Sequence, residues 1–134
     1  MSGKNDKLIH RWFSEVWNKG NGDAIDEMMH PKTTAHGLGA QPMVGNEAFK
    51  SFYQSFRDTF SNIHVVVDKT FNDGNYNIAM CTVTAIDKKS GNPVQFTGTS
   101  ITHIKKGKIV EGWNYYDFLT MNLQIGKISA EQLT

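Results

Sequence analysis

Apolar positions in the first third of the chain recur at helical spacing. From Asp6 to Asn18 they are Leu8, Ile9, Trp12, Phe13, Val16 and Trp17, one stripe at i, i+3/4 and i+7/8. Asn5 or Asp6 is placed to cap this helix, and Gly20-Asn21-Gly22 stops it. Asp23 reads as the N-cap of a short second helix through Met29, with Asp26 three residues on and Pro31 as its end. Thr33 to Leu38 reads as a short strand, followed by a loop marked by Gly37, Gly39 and Pro42. A third helix starts at Asn46, with Phe49, Phe52, Tyr53, Phe56 and Phe60 on its face.

Beyond residue 60 the period changes to that of strands. Ile63 to Phe71 is rich in β-branched residues, and Asn72-Asp73-Gly74-Asn75 is a hairpin turn signal. Tyr76–Asp87, Val94–Lys105 and Lys108–Phe118 follow as strands, separated by the polar Lys88–Pro93 segment and by Gly107. The tail from Leu119 is weakly helical, with a break at Gly126. Helices followed by a meander of about four strands predict one α+β domain, with helices on one face of a largely antiparallel sheet. The 134 residues suit a single domain, with its core between about residues 6 and 126.

Composition narrows the function classes. Fourteen Lys and Arg against 13 Asp and Glu leave a net charge of +1, so nothing favours a nucleic-acid partner. Lys105-Lys106-Gly107-Lys108 reads as a solvated hairpin tip. The single cysteine, Cys81, sits in an apolar strand pattern, as expected of a buried thiol in a reducing compartment. Residues 1–7 are polar, and no run approaches the roughly 20 apolar residues of a membrane helix. A cytoplasmic protein without a membrane partner is the expectation. His10, His30, His36, His64 and His103 are scattered and show no metal-ligand spacing.

The last strand carries the candidate chemistry. Alternation puts Ile109, Glu111, Trp113, Tyr115 and Asp117 on one face, and Val110, Gly112, Asn114, Tyr116 and Phe118 on the other. A carboxylate beside two large aromatics on a half-buried strand is a setting in which desolvation raises its pKa toward neutrality, suited to acid–base work. The alternative is a helix cap, because Asp117 immediately precedes Phe118-Leu119-Thr120-Met121.

The stretch from Gly107-Lys108-Ile109-Val110-Glu111-Gly112-Trp113-Asn114-Tyr115-Tyr116-Asp117 to Gln124-Ile125-Gly126 resembles the C-terminal signature of the SnoaL-like polyketide cyclases, of the nuclear transport factor 2-like superfamily. Trp17-Asn18-Lys19-Gly20-Asn21-Gly22-Asp23, and Gly45-Asn46-Glu47-Ala48-Phe49 through Phe56-Arg57 and Phe60, match as well. The resemblance implies a cone-shaped fold whose curved sheet wraps three helices around a deep pocket. It implies intramolecular aldol condensation of a polyketide ester without metal or cofactor, in which an aspartate takes up and returns a proton. On the motif that aspartate is Asp117, with His103 as a second catalytic candidate. The loop Lys88 to Val94 lacks the longer proline-threonine-glycine segment common in the family. Epoxide hydrolysis in this superfamily needs an Arg between two acids, and steroid-isomerase chemistry a tyrosine on the first helix. No Arg-x-Asp occurs here, Thr97 to Ile101 has neither residue, and the first helix has no tyrosine, so both rank low.

The hairpin before the last strand decides where His103 goes. A three-residue loop pairs His103 with Ile109 and puts it on the face of Asp117, roughly 26 Å away at 3.3 Å per residue. A two-residue turn puts the two on opposite faces. Trp113, Tyr115, His36, Trp12, Tyr53 and Phe56 are the candidate binding residues. The functional expectation is a cofactor-free acid–base enzyme acting on an apolar, oxygenated small molecule. The alternative is a non-catalytic ligand-binding or dimerisation module. The resemblance also implies a homodimer through the outer sheet face, where an exposed Tyr116 would fit.

Overall fold

A computed structural model describes residues 2–133. Helix α1 (Ser2–Arg11) starts upstream of the expected cap at Asn5 or Asp6 and continues as a π-helical stretch, Trp12–Asn18. The wider turn lets neighbouring residues face inward together: Trp12, Phe13 and Val16 are all buried. It ends with Lys19 N–H donating to the Ser14 carbonyl at 2.9 Å. The Val16 carbonyl accepts instead from the Tyr53 hydroxyl at 2.7 Å.

Helix α2 (Ala24–Met28) is short, and Asp23 before it makes no side-chain cap bond. Asp26 instead ties α2 to the next helix, accepting from Asn46 Nδ2 at 2.9 Å and from Lys50 Nζ at 2.8 Å. Pro31 does not end this helix. It lies inside β1 (Met29–His36), which begins earlier than the pattern suggested. β1 runs parallel to the last strand, and its register slips between Met29 and Thr34. Proline is tolerated there because the ladder is interrupted where its N–H is missing.

The Gly-Pro loop holds a two-residue strand, β2 (Met43–Val44), before α3 (Asn46–Thr59). Phe60 is not part of α3 but opens β3 (Phe60–Asp73). β4 (Tyr76–Asp87), β5 (Pro93–Lys105) and β6 (Lys108–Tyr116) complete a six-stranded sheet in the order β2-β1-β6-β5-β4-β3. α4 (Phe118–Gln124) and a 3-10 turn (Ala130–Leu133) close the described chain.

The inner face of the sheet meets the π-helical stretch and α3. Ile9, Trp12, Val16, Met28, Phe49 and Tyr53 pack with Val65, Ala79, Cys81, Val83, Phe96 and Ile109 in one buried cluster. Asn18 clips the helix to the edge strand β3, donating to the Val65 carbonyl at 3.0 Å and accepting from the Val65 N–H at 2.6 Å. That contact covers backbone groups an edge strand would otherwise leave open.

The β5–β6 hairpin turns on two residues, Lys106 at φ 50° and Gly107 at φ 74°, and Lys105 pairs with Lys108. Two consecutive positive φ values suit a tight hairpin turn, which explains the glycine. The register then slips: Ile104 pairs with Ile109, but His103 pairs with Glu111. This bulge at Val110 reverses the strand's alternation once. Ile109 therefore points inward, and beyond the bulge the inward set is Gly112, Asn114 and Tyr116.

Candidate ligand cavity

Between the curved sheet and the helices lies a half-open cavity of about 100 Å³. That is far more than the ~10–15 Å³ one water needs. Trp12 and Trp17 come from the π-helical stretch, Phe49, Phe52 and Phe56 from α3, Phe96 from β5 and Phe118 from the start of α4. Trp17 sits at the centre of an edge-to-face cluster, 5.0 Å from Tyr53 and 5.6 Å from Phe56. Edge-to-face contacts of this kind hold rings rigidly without filling all the space between them.

The polar groups in the lining gather on the sheet side. Ser100 and Thr102 come from β5, Asn114 and Tyr116 from β6, and Thr33 from β1. The Ser100 hydroxyl donates to Asn114 Oδ1 at 3.0 Å and lies 2.8 Å from the Tyr116 hydroxyl. Asn114 Nδ2 donates to the His36 backbone carbonyl at 3.0 Å. Two glycines make the arrangement possible. A Cβ on Gly98 would stand 2.1 Å from the Tyr116 ring, so that ring lies flat over bare backbone. A Cβ on Gly37, at φ 85°, would meet the Asn114 carbonyl oxygen at 1.9 Å.

Burial pushes the Tyr116 phenol far above its ordinary range, with the neighbouring Cys81 adding to the shift. Tyr116 therefore stays a neutral hydroxyl. Cys81 is buried behind it, and burial raises its thiol pKa too, the opposite of an activated nucleophile. Among the described residues, no Asp, Glu, Lys, Arg or His lines the cavity.

Asp117 lies elsewhere. It is exposed and caps α4: one carboxylate oxygen accepts from the Thr120 N–H at 2.9 Å and the other from the Thr120 hydroxyl at 2.6 Å. Those two bonds hold its carboxyl below the ordinary value of 3.8. Desolvation does not win, because the Asp117 carboxylate is itself exposed. Its backbone N–H donates to the Thr97 carbonyl at 3.0 Å.

The other candidates divide by face. Trp12 and Phe56 line the cavity. Tyr53 is core instead, with its hydroxyl spent on Val16. Trp113, Tyr115, His36 and His103 lie on the outer side of the sheet. The His36 ring stacks on Trp113 at 5.5 Å, and its Nε2 pairs with Glu111 Oε2 at 2.7 Å. His103 stacks on Tyr76 at 4.4 Å, and Tyr115 is 63% exposed. The bulge at Val110 explains His103, since it sets that ring opposite Glu111. Tyr116, assigned to the outer face in the sequence reading, points inward.

Ser100, Thr102, Asn114 and Tyr116 were the residues missed. β5 carried a signal for two of them. Ser100 and Thr102 interrupt the otherwise apolar inward series of Val94, Phe96 and Ile104. Polar side chains on a buried face need partners or a ligand.

A curved six-stranded sheet closed over helices, with an apolar cavity between them, is the cone-shaped nuclear transport factor 2-like fold. Within it, the chain belongs to the SnoaL-like polyketide cyclase family, whose model matches residues 7–125. Three solved structures illustrate the likeness. A protein provisionally described as a SnoaL-like polyketide cyclase, from Jannaschia sp. CCS1, is 21% identical, with a TM-score of 0.86 over 94% of each chain. IdmH from Streptomyces antibioticus, provisionally described as a polyketide cyclase, is 20% identical, with a TM-score of 0.81 over 90% of this chain and 97% of its own. A Bacillus cereus ATCC 10987 protein with the same provisional description is 27% identical, with a TM-score of 0.81 over 91% of this chain and 80% of its own. No curated protein matches the chain. No helix among the described residues is long and apolar enough to cross a membrane.

Proposed function

We propose that this chain binds an apolar small molecule bearing an oxygen function, held inside the cavity between the π-helical stretch, α3 and the sheet. The observation that carries the reading is the lining itself. Aromatic and aliphatic side chains surround one convergent polar cluster, Ser100–Asn114–Tyr116, with no charged group among the described residues there. Apolar walls supply affinity, and a few fixed polar atoms orient the ligand. The proposed activity is the non-catalytic form of the family's pocket.

Membership in the SnoaL-like polyketide cyclase family favours a second reading, cofactor-free acid–base cyclisation by aldol condensation. In that reading Asp117, flanked in sequence by the lining residues Tyr116 and Phe118, is the proton acceptor. It would have to leave both Thr120 bonds to act there.

One experiment separates the two. Wild type, Asp117→Asn and Asn114→Leu are titrated with 2-naphthol and assayed with a linear poly-β-keto ester. The binding reading predicts saturable naphthol binding that Asp117→Asn changes less than about twofold and Asn114→Leu weakens about tenfold. It also predicts no cyclisation. Cyclisation that Asp117→Asn reduces about a hundredfold or more would establish the second reading instead.

A further inference from the structure

We infer that the Tyr116–Ser100 oxygen pair of the cavity presents a hydrogen-bond acceptor to its ligand, so that the ligand it selects carries a hydroxyl or other donor opposite that pair rather than a bare carbonyl. This rests on the binding reading above and specifies the ligand's chemistry. The argument follows the protons. The His36 backbone carbonyl can only accept, so the Asn114 group 3.0 Å from it must be the amide nitrogen. The other end of that amide, Oδ1, then faces Ser100 and can also only accept. Ser100 has one hydroxyl proton and gives it to Asn114 at 3.0 Å.

The Tyr116 oxygen stands 2.8 Å from Ser100 Oγ. With the Ser100 proton already committed, two oxygens at that distance repel unless Tyr116 donates. The single phenolic proton of Tyr116 is therefore used on Ser100, and the chain runs Tyr116 to Ser100 to Asn114, with His36 fixing its far end. Burial keeps Tyr116 protonated, so this direction is not released by ionisation at neutral pH.

On the Tyr116 and Ser100 oxygens only acceptor capacity remains toward the cavity, and the second Asn114 amide hydrogen is a separate donor beside them. A tyrosine in an apolar pocket is ordinarily read as a donor to a ligand carbonyl, but the neighbours of Tyr116 reverse that role. A ligand hydroxyl donating to this pair meets a complementary group. A ligand carbonyl in the same place meets oxygen lone pairs and loses its own hydrogen bonds to water without replacement.

The test compares two probes of similar size, 2-naphthol and 2-naphthaldehyde, by fluorescence titration or calorimetry. Wild type is expected to bind the naphthol about tenfold or more tightly, the value of one well-placed hydrogen bond. Ser100→Ala frees the Tyr116 proton for the ligand. It should cut that preference about tenfold, through a gain for the aldehyde, whose carbonyl stretch should shift to lower frequency on binding. Tyr116→Phe, nearly isosteric, should also abolish the preference, but with no gain for the aldehyde. Equal affinities in wild type, or a preference for the aldehyde, overturn the inference and leave the cavity reading intact. Binding of neither probe overturns the cavity reading and this inference with it.

Discussion

The two faces of strand β6 carry similar residues and do different things. Glu111, Trp113 and Tyr115 point out of the cone. There His36 stacks on Trp113, and the Tyr115 ring is largely in water. Gly112, Asn114 and Tyr116 point in, and the two polar ones bond to Ser100 within an aromatic wall. Aromatic rings beside polar atoms occur on both faces. What distinguishes them is enclosure. Inside, each polar atom must find a fixed partner because water is scarce, and fixed partners give direction to the protons. Outside, the hydrogen bond between His36 and Glu111 competes with solvent and adds little.

The sharpest way to break this contrast is to remove a wall of the inner side. Trp12→Ala should destabilise the fold by about 3–5 kcal/mol, as large-to-small core changes do, measured by denaturant unfolding. Its outer counterpart, Tyr115→Ala, should stay within about 0.5 kcal/mol of wild type. Equal losses at the two positions would mean that the outer face is covered in solution.

Gly98→Ala is expected to come next. Its new methyl meets the Tyr116 ring, and overpacking of this kind costs about 1–3 kcal/mol. The displaced phenol should lose part of its burial, the largest cause of its raised pKa, and titrate at lower pH than in wild type, as followed by ultraviolet absorbance. A wild-type phenol titration in Gly98→Ala would show that the ring does not need bare backbone beneath it.

The smallest effect concerns Asp117. Its folded pKa lies below the ordinary 3.8 because Thr120 bonds to the charged form. The stabilisation is therefore present above that ordinary value and is lost as pH falls through the folded one. Asp117→Asn should lower the melting temperature by a few degrees at pH 7, with the gap from wild type closing in acid. A gap independent of pH would contradict the cap.

Element types were largely legible in the sequence because the apolar period changes once, from helical to alternating, near residue 60. Boundaries failed where tertiary partners override local signals. The parallel pairing with β6 draws Pro31 into β1, and the helix that begins at Ser2 turns π-helical at Trp12. The site was less legible for one physical reason. Alternation sorts β6 into two faces but does not say which is inside, and the carboxylate drew attention to the wrong one. A one-residue bulge at Val110 decides the matter, and it depends on the Lys106-Gly107 turn and the register it sets. Asp117 followed the cap signal that its neighbours Phe118 to Met121 already carried.

The central claim is that Tyr116 and its partners inside the cone hold the ligand, while Asp117 outside the cavity does not. Titrating 2-naphthol against wild type, Tyr116→Phe and Asp117→Asn under identical conditions tests it most directly. The account predicts about a tenfold loss of affinity for Tyr116→Phe and less than a twofold change for Asp117→Asn. A loss confined to Asp117→Asn, with Tyr116→Phe binding as wild type, would contradict it.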